Sequence, residues 1–383
     1  MIKNCKFQNQ LTDSPDSYKT FLILTTYAMR NLTIERKCLK RLAYALSLLA
    51  TLATGCKKPN IAPKGSGSTT GPYLYVGGAW NSAATFWKVS LAQPGSNMIT
   101  DTTAGSNAIL SIVTSGNDVY MAGGAPGYWK NKTFISIPGS SGINYIAITG
   151  TSVYTSGWDS AGNLAYWVNN TEVNLQNAIK KQFNNAHIMV WNETGMAVSG
   201  SNVLVSGLIY VENWTTNPAG SFDNNGLLWT NGNLQLFGPG GIYLGNSFPS
   251  TVGITVLGSD NYVAGSMPDS AQTTGYWKNG VFNSLNKQLM PTCITSGGND
   301  IYIGGYTNNP AVTQSSQGVY WKSGTLVSIA NATRLITMVI DNNDVYALGI
   351  DNNNNNVVWK NGAIFVTIGP ASTELTTSMV IGN

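Results

Sequence analysis

Three observations predict an all-β fold for this 383-residue chain. A short apolar strand ending in Gly, followed by a strand ending at Trp, recurs seven times from residue 73 onward. Tight-turn dipeptides follow most of those Trp residues, and a further strand follows each turn. Only 10% of the residues are charged, while 42 Gly and 39 Phe, Tyr and Trp residues supply turns and large apolar surfaces. That balance excludes a coiled coil or helical bundle, which needs many more Glu, Lys, Arg and Leu. It also disfavours intrinsic disorder.

The Gly-ending strands are Leu74–Gly78, Val119–Gly123, Val153–Gly157, Val203–Gly207, Asn261–Gly265, Ile301–Gly305 and Val345–Gly349. Their partner tryptophans are Trp87, Trp129, Trp167, Trp229, Trp277, Trp321 and Trp359, a structural column that takes seven of the 11 Trp. Asn231-Gly232, Asn279-Gly280, Ser323-Gly324 and Asn361-Gly362 then favour positive φ at both central positions, as a type I′ hairpin requires. Before each Gly-ending strand lies another apolar segment closed by a turn, as in 112–118. Each unit therefore reads as a four-stranded antiparallel meander, strands a to d.

Equivalent Gly residues are spaced 45, 34, 50, 58, 40 and 44 apart. Four-stranded units of this size are blades of a β-propeller, and the uneven spacing excludes a stacked solenoid of constant rungs. The first unit begins directly at strand b with Tyr73, and 377–383 matches a strand a with no strand b after it. The expectation is a seven-bladed β-propeller over 73–383, closed by the C-terminal strand within the first blade. Closure removes the exposed edges at which sheets aggregate.

The amino-terminal part reads differently. Residues 1–56 hold eight Lys or Arg against three Asp or Glu, leaving a nearly neutral remainder of 13 basic and 14 acidic residues. A body without a basic stripe has no electrostatic footprint for nucleic acid. Arg36, Lys37, Lys40 and Arg41 precede an apolar run over 42–53, in the order of a secretory signal peptide and too short to span a bilayer. Met29 would begin a signal of more usual length. The close, Leu52-Ala53-Thr54-Gly55-Cys56, resembles a bacterial lipoprotein lipobox, with Ala53 where Leu is usual. The resemblance implies that Cys56 becomes the first mature residue and carries acyl chains. It also implies attachment to the bacterial cell envelope, at the outer membrane. Residues 57–72, rich in Lys, Pro, Gly, Ser and Thr, read as a flexible tether. With Cys5 and Cys38 in the removed region and Cys56 acylated, Cys293 is left unpaired and reads as a small buried hydrophobe.

The Gly doublets Gly77-Gly78, Gly123-Gly124 and Gly304-Gly305 resemble those of kelch repeats, although here Tyr and Trp adjoin (Tyr128-Trp129, Tyr166-Trp167, Tyr276-Trp277, Tyr320-Trp321). The resemblance implies fold and carries no binding residues.

Function is expected on the ring face that holds the b–c connections, because these vary in length over a constant scaffold. The longest, 208–228, contains Tyr210, Glu212, Trp214, Phe222 and Asp223. Trp158 and Trp80 begin two others. Exposed aromatics with acidic and amide groups suit a glycan or a protein ligand. They also suit a bland role in pinning loops to blades. Enzymatic signs are few. His187 is the only His, no nucleophile elbow accompanies it, and the inner strands carry almost no charge. Asp118, Asp260, Asp300 and Asp344 recur at one turn position, which marks a turn role. Asp341, Asp344 and Asp351 beside the Asn352–Asn356 run read as a polar loop ahead of a Ca²⁺ site. The expectation is a monomeric, lipid-anchored, non-catalytic binding protein with no cofactor and no metal. The second reading is a carbohydrate-active or other hydrolytic propeller whose carboxylates are loop residues such as Glu212 and Asp223.

Overall fold

The computed structural model describes residues 71–93, 98–103, 108–182, 187–212, 222–237, 250–267, 273–285, 289–308, 316–371 and 374–383. Residues 1–70, which include the expected signal region, Cys56 and most of the expected tether, lie outside them, as does Trp214. Among the described residues no helix is long and apolar enough to cross a membrane.

Seven four-stranded antiparallel sheets form a ring of blades, as the repeat predicts. In blades two to seven the innermost strands a are Ser111–Ser115, Ser140–Thr149, His187–Ser199, Ser250–Leu257, Met290–Gly297 and Ala332–Asp341. In blade one this place is taken by the C-terminal strand Glu374–Gly382, paired antiparallel with Tyr73–Trp80. Each innermost strand packs beside the next around the whole circle, so the ring closes through the two ends of the propeller sequence.

The Trp column holds neighbouring blades together. Trp87, Trp129, Trp167, Trp229, Trp277 and Trp359 are buried, each sitting in strand c opposite strand b. Trp229 packs with Leu164, Tyr166 and Val190, and so joins blade four to blade three. Trp321 is only partly buried, against the cluster of Leu285, Leu289 and Ile303. These clusters lie between sheets, so the core is distributed around the ring.

The repeated glycine has a specific cause. In six blades strand a carries one extra residue opposite the end of strand b: Thr377, Asn144, Thr194, Val252, Thr292 and Ile336. Blade two reaches the same arrangement with Leu110, whose N–H donates to the Ala122 carbonyl. Such bulges bend the strand and aim the extra residue out of the ladder. The bend presses a strand-a carbonyl against the terminal glycine of strand b. A Cβ on Gly157 would lie 2.1 Å from the Gly142 oxygen, and one on Gly305 1.9 Å from the Met290 oxygen. No side chain fits there.

Two elements differ from the sequence expectation. The 208–228 connection is mostly ladder, because strand b of blade four runs to Glu212 and strand c begins at Phe222. A short helix, Leu175–Gln182, also stands in the connection from blade three to blade four. Asn174 caps it by accepting from the Asn177 N–H, and Leu175 and Ile179, one turn apart, are buried between blades three and four.

Candidate functional site

The two ring faces are built differently. On the a–b and c–d face, one polar clasp repeats. In blade two, Asp118 accepts from Lys130 Nζ at 2.8 Å and from Asn131 Nδ2 at 2.9 Å, while Asn131 Oδ1 accepts from the Val119 N–H. Blades five and seven repeat it with Asp260, Lys278, Asn279 and with Asp344, Lys360, Asn361. Blade six uses Asp300, Lys322 and Ser323. Each Lys also lies over a ring of its own blade, Tyr120, Tyr262, Tyr302 or Tyr346. The Lys and Asn partners hold Asp118, Asp260 and Asp344 below the usual carboxylate range, and Ser323 with Lys322 does so for Asp300. The recurrent Asp thus has a turn role. Its partners are side chains, and the contact to backbone comes from the Asn. Positive φ at Asn231-Gly232, Asn279-Gly280, Ser323-Gly324 and Asn361-Gly362 matches the predicted turns.

Asp351 likewise spends its carboxylate on its own loop, accepting from the N–H groups of Asn353 and Asn355 and from Asn355 Nδ2. Asp159 does the same with Ala161 and Asn163, and also accepts from Asn174 Nδ2 at the end of the outermost strand. These are Asx turns within polar loops.

At the centre of the ring the bulged residues line a cavity of about 560 Å³. Four of its lining residues are Thr194, Thr251, Thr292 and Thr377, and their hydroxyls bridge blades. Thr292 donates to the Leu335 carbonyl at 2.8 Å, Thr377 to that of Ile109, and Thr251 to that of Gly207 at 3.0 Å while bonding Thr194. Ser111 with Ile146, Thr255 with Ser296, and Thr376 with Asn356 serve other junctions. The polar channel is first of all a ring of latches.

The junction of blades three and four departs from this pattern and corrects the expectation of a channel without acid–base groups. Glu193, 3% exposed, lines the cavity and accepts from Asn144 Nδ2 at 3.2 Å through Oε2. Its other oxygen, Oε1, is buried and makes no close hydrogen bond, with the equally buried Ser156 hydroxyl beside the carboxyl. Burial pushes this carboxyl up to about 8, opposed by the neighbouring Ser156 hydroxyl and the Asn144 amide. Tyr145, also lining the cavity, is held protonated far above its usual range by burial and by the Glu193 charge. Near neutral pH Glu193 therefore keeps its proton, and it can both donate and accept. Cys293 is buried, with its thiol pushed up to about 12, so it is unreactive.

The aromatic and acidic candidates are placed as follows. Trp80 and Trp158 are partly buried and pack against inter-blade clusters. Tyr210 pairs with Asn224, Val211 with Asp223 and Glu212 with Phe222 along the blade-four hairpin. Glu212 and Asp223 thus occupy successive rungs of the ladder. His187 begins strand a of the same blade, opposite Glu212. The hairpin and the helix both flank the Asn144–Glu193 junction in sequence. Glu193 was missed because it stands alone in an apolar-leaning strand; its only signal is a charge at the inner-strand position where other blades carry neutral residues.

No protein-family model matches the chain, and no curated protein matches it. Among solved structures, the β-propeller domain of the Trilobed protease from Pyrococcus furiosus is 10% identical, covering 76% of this chain and 91% of that one with a TM-score of 0.46. Lignostilbene dioxygenase from Pseudomonas brassicacearum is 9% identical over 80% of this chain and 89% of its own, also at 0.46. Trypanosoma rangeli sialidase is 10% identical over 79% of this chain and 50% of its own, at 0.36. The seven-bladed assignment rests on the strand topology of this chain.

Proposed function

We propose that the protein is a lipid-anchored, non-catalytic binding propeller of a bacterial cell envelope, taking a glycan or protein ligand on the face that carries the b–c connections. The observation that supports this reading is the asymmetry of the ring. One face repeats the same Asp–Lys–Asn clasp in several blades, whereas the other varies from the two-residue turn Asn81-Ser82 of blade one to the blade-four hairpin reaching Glu212–Phe222. A repeated face maintains the scaffold, and a variable face is free to specify a ligand.

Anchoring through Cys56 is supported by the order of basic, apolar and small residues before it and the tether after it. Several acyl chains hold a protein stably on a membrane, whereas one binds only marginally. Replacing Cys56 by Ser is expected to release the protein from the membrane fraction; a variant as tightly bound as the parent overturns the anchor. Detergent-solubilised protein is expected to retain a glycan or an envelope protein without turning it over. Product formation from any retained glycan overturns the non-catalytic reading.

A further inference from the structure

We infer that the channel wall formed by Asn144, Tyr145, Asn192 and Glu193, where blades three and four meet, is a binding site for a neutral polyhydroxylated ligand of sugar size. The inference rests on the binding reading above and gives it a place and a ligand chemistry.

Thr251, Thr292 and Thr377 donate into blade–blade latches, Thr194 bonds Thr251 across one of them, and Leu110 and Val252 are apolar. The remaining lining residues all belong to blades three and four. Glu193 lines the cavity with its Oε1 buried beside the Ser156 hydroxyl, and Asn144 uses one amide hydrogen on Oε2. Asn192 is exposed, and neither it nor the Tyr145 hydroxyl makes a hydrogen bond to a described residue. A buried carboxyl costs stability that a hydroxyl-to-carbonyl latch, as at the other junctions, would avoid.

The free groups also share a chemistry. A protonated carboxyl, two primary amides and a phenol each donate and accept, which complements hydroxyl groups that do the same. No Lys, Arg or His lines the cavity among the described residues, so an anionic sugar would find no counter-charge. Tyr145 is the other titratable group lining the cavity, and it stays neutral beside Glu193. The 560 Å³ volume lies within the range of small-molecule pockets.

The test is calorimetric titration of the detergent-solubilised full chain with D-glucose, N-acetyl-D-glucosamine and their β-1,4-linked dimers. N-Acetylneuraminic acid and D-glucosamine serve as anionic and cationic comparators. At least one neutral probe is expected to bind at pH 6.5 and to weaken about tenfold per pH unit well above pH 8, as Glu193 loses its proton. Glu193→Gln should bind within about threefold of the parent and lose that pH dependence, because the amide still donates and accepts. Asn192→Ala, at an exposed position with no hydrogen bond to lose, should weaken binding about tenfold without changing the melting temperature. Neutral-sugar binding that is indifferent to both Asn192→Ala and Glu193→Leu overturns the channel site and leaves the binding reading standing. Tighter binding of either charged comparator overturns the neutral-ligand chemistry. Binding of none of these probes, with an envelope protein still retained, overturns the inference alone; retention of nothing at all overturns both.

Discussion

The junction between blades three and four and that between blades six and seven perform the same mechanical task with different chemistry. At the latter, Thr292 sits on the bulge of its strand and donates to the Leu335 carbonyl of the next blade, with both partners neutral and satisfied. At the former, Asn144 occupies the equivalent bulge and donates to Glu193, a buried acid. Hydroxyls repeated from blade to blade are construction, and the position that breaks the repeat at an energetic cost is the place to look for function.

The largest expected effect tests whether these junctions share one cooperative ring. Deleting 374–383 removes the strand that carries Thr376, Thr377 and Met379, and with it the latches to Asn356 and Ile109. It also uncovers Leu74 and Val76, each worth roughly 1.5–3 kcal/mol when fully buried. A loss on the order of 5 kcal/mol or more is expected, set against a total stability of about 5–15 kcal/mol. Self-association through the exposed edge of Tyr73–Trp80 should accompany it. Sedimentation and thermal unfolding check both; a monomer with unchanged melting temperature breaks the closed-ring account and leaves the junctions independent.

A smaller effect separates the two junctions directly. Glu193 holds its proton to about pH 8 in the folded chain and ionises near 4.5 in the unfolded chain. Between those values the folded state binds more protons, so its contribution makes stability fall as pH rises and level off above about 8. By linkage the parent should lose about 3 kcal/mol from pH 5 to pH 8 relative to Glu193→Gln. Denaturant titrations of both proteins at the two pH values measure this. Parallel pH profiles would show that Glu193 is not buried as an acid.

The smallest effect belongs to the neutral latch. Thr292→Val keeps the shape of the side chain and leaves the Leu335 and Gly304 carbonyls short of a donor. A loss of about 1–2 kcal/mol is expected, equal at pH 5 and pH 8 because nothing at that junction titrates. A pH-dependent loss would mean that the two junctions are coupled, and the contrast between them would dissolve.

Most of the architecture was legible in the residues because each repeat carries its own local instructions. Asn-Gly dictates a type I′ turn wherever it stands, and the Gly-then-Trp order marks a unit without reference to its neighbours. The unpaired strand at the carboxyl end and the missing one at Tyr73 even revealed the closure. The candidate site was far less legible. Nothing near Glu193 in sequence shows that Asn144, 49 residues away, will meet it, or that its carboxyl will be buried. The helix at Leu175–Gln182 escaped as well, although Asn174 and the Leu175–Ile179 spacing are the signals of a capped, one-sided turn.

By itself, then, the sequence determined the blade, the number of blades and the way the ring is closed, since turn chemistry and strand alternation act over a few residues. The purpose of the terminal glycine, the service of the Asp–Lys–Asn set as a clasp, and the division of the channel between satisfied threonines and one buried carboxyl were decided only by the tertiary structure. Those depend on which backbone carbonyl presses against Gly157 and which blade stands next to Glu193, and curvature of the whole ring sets both.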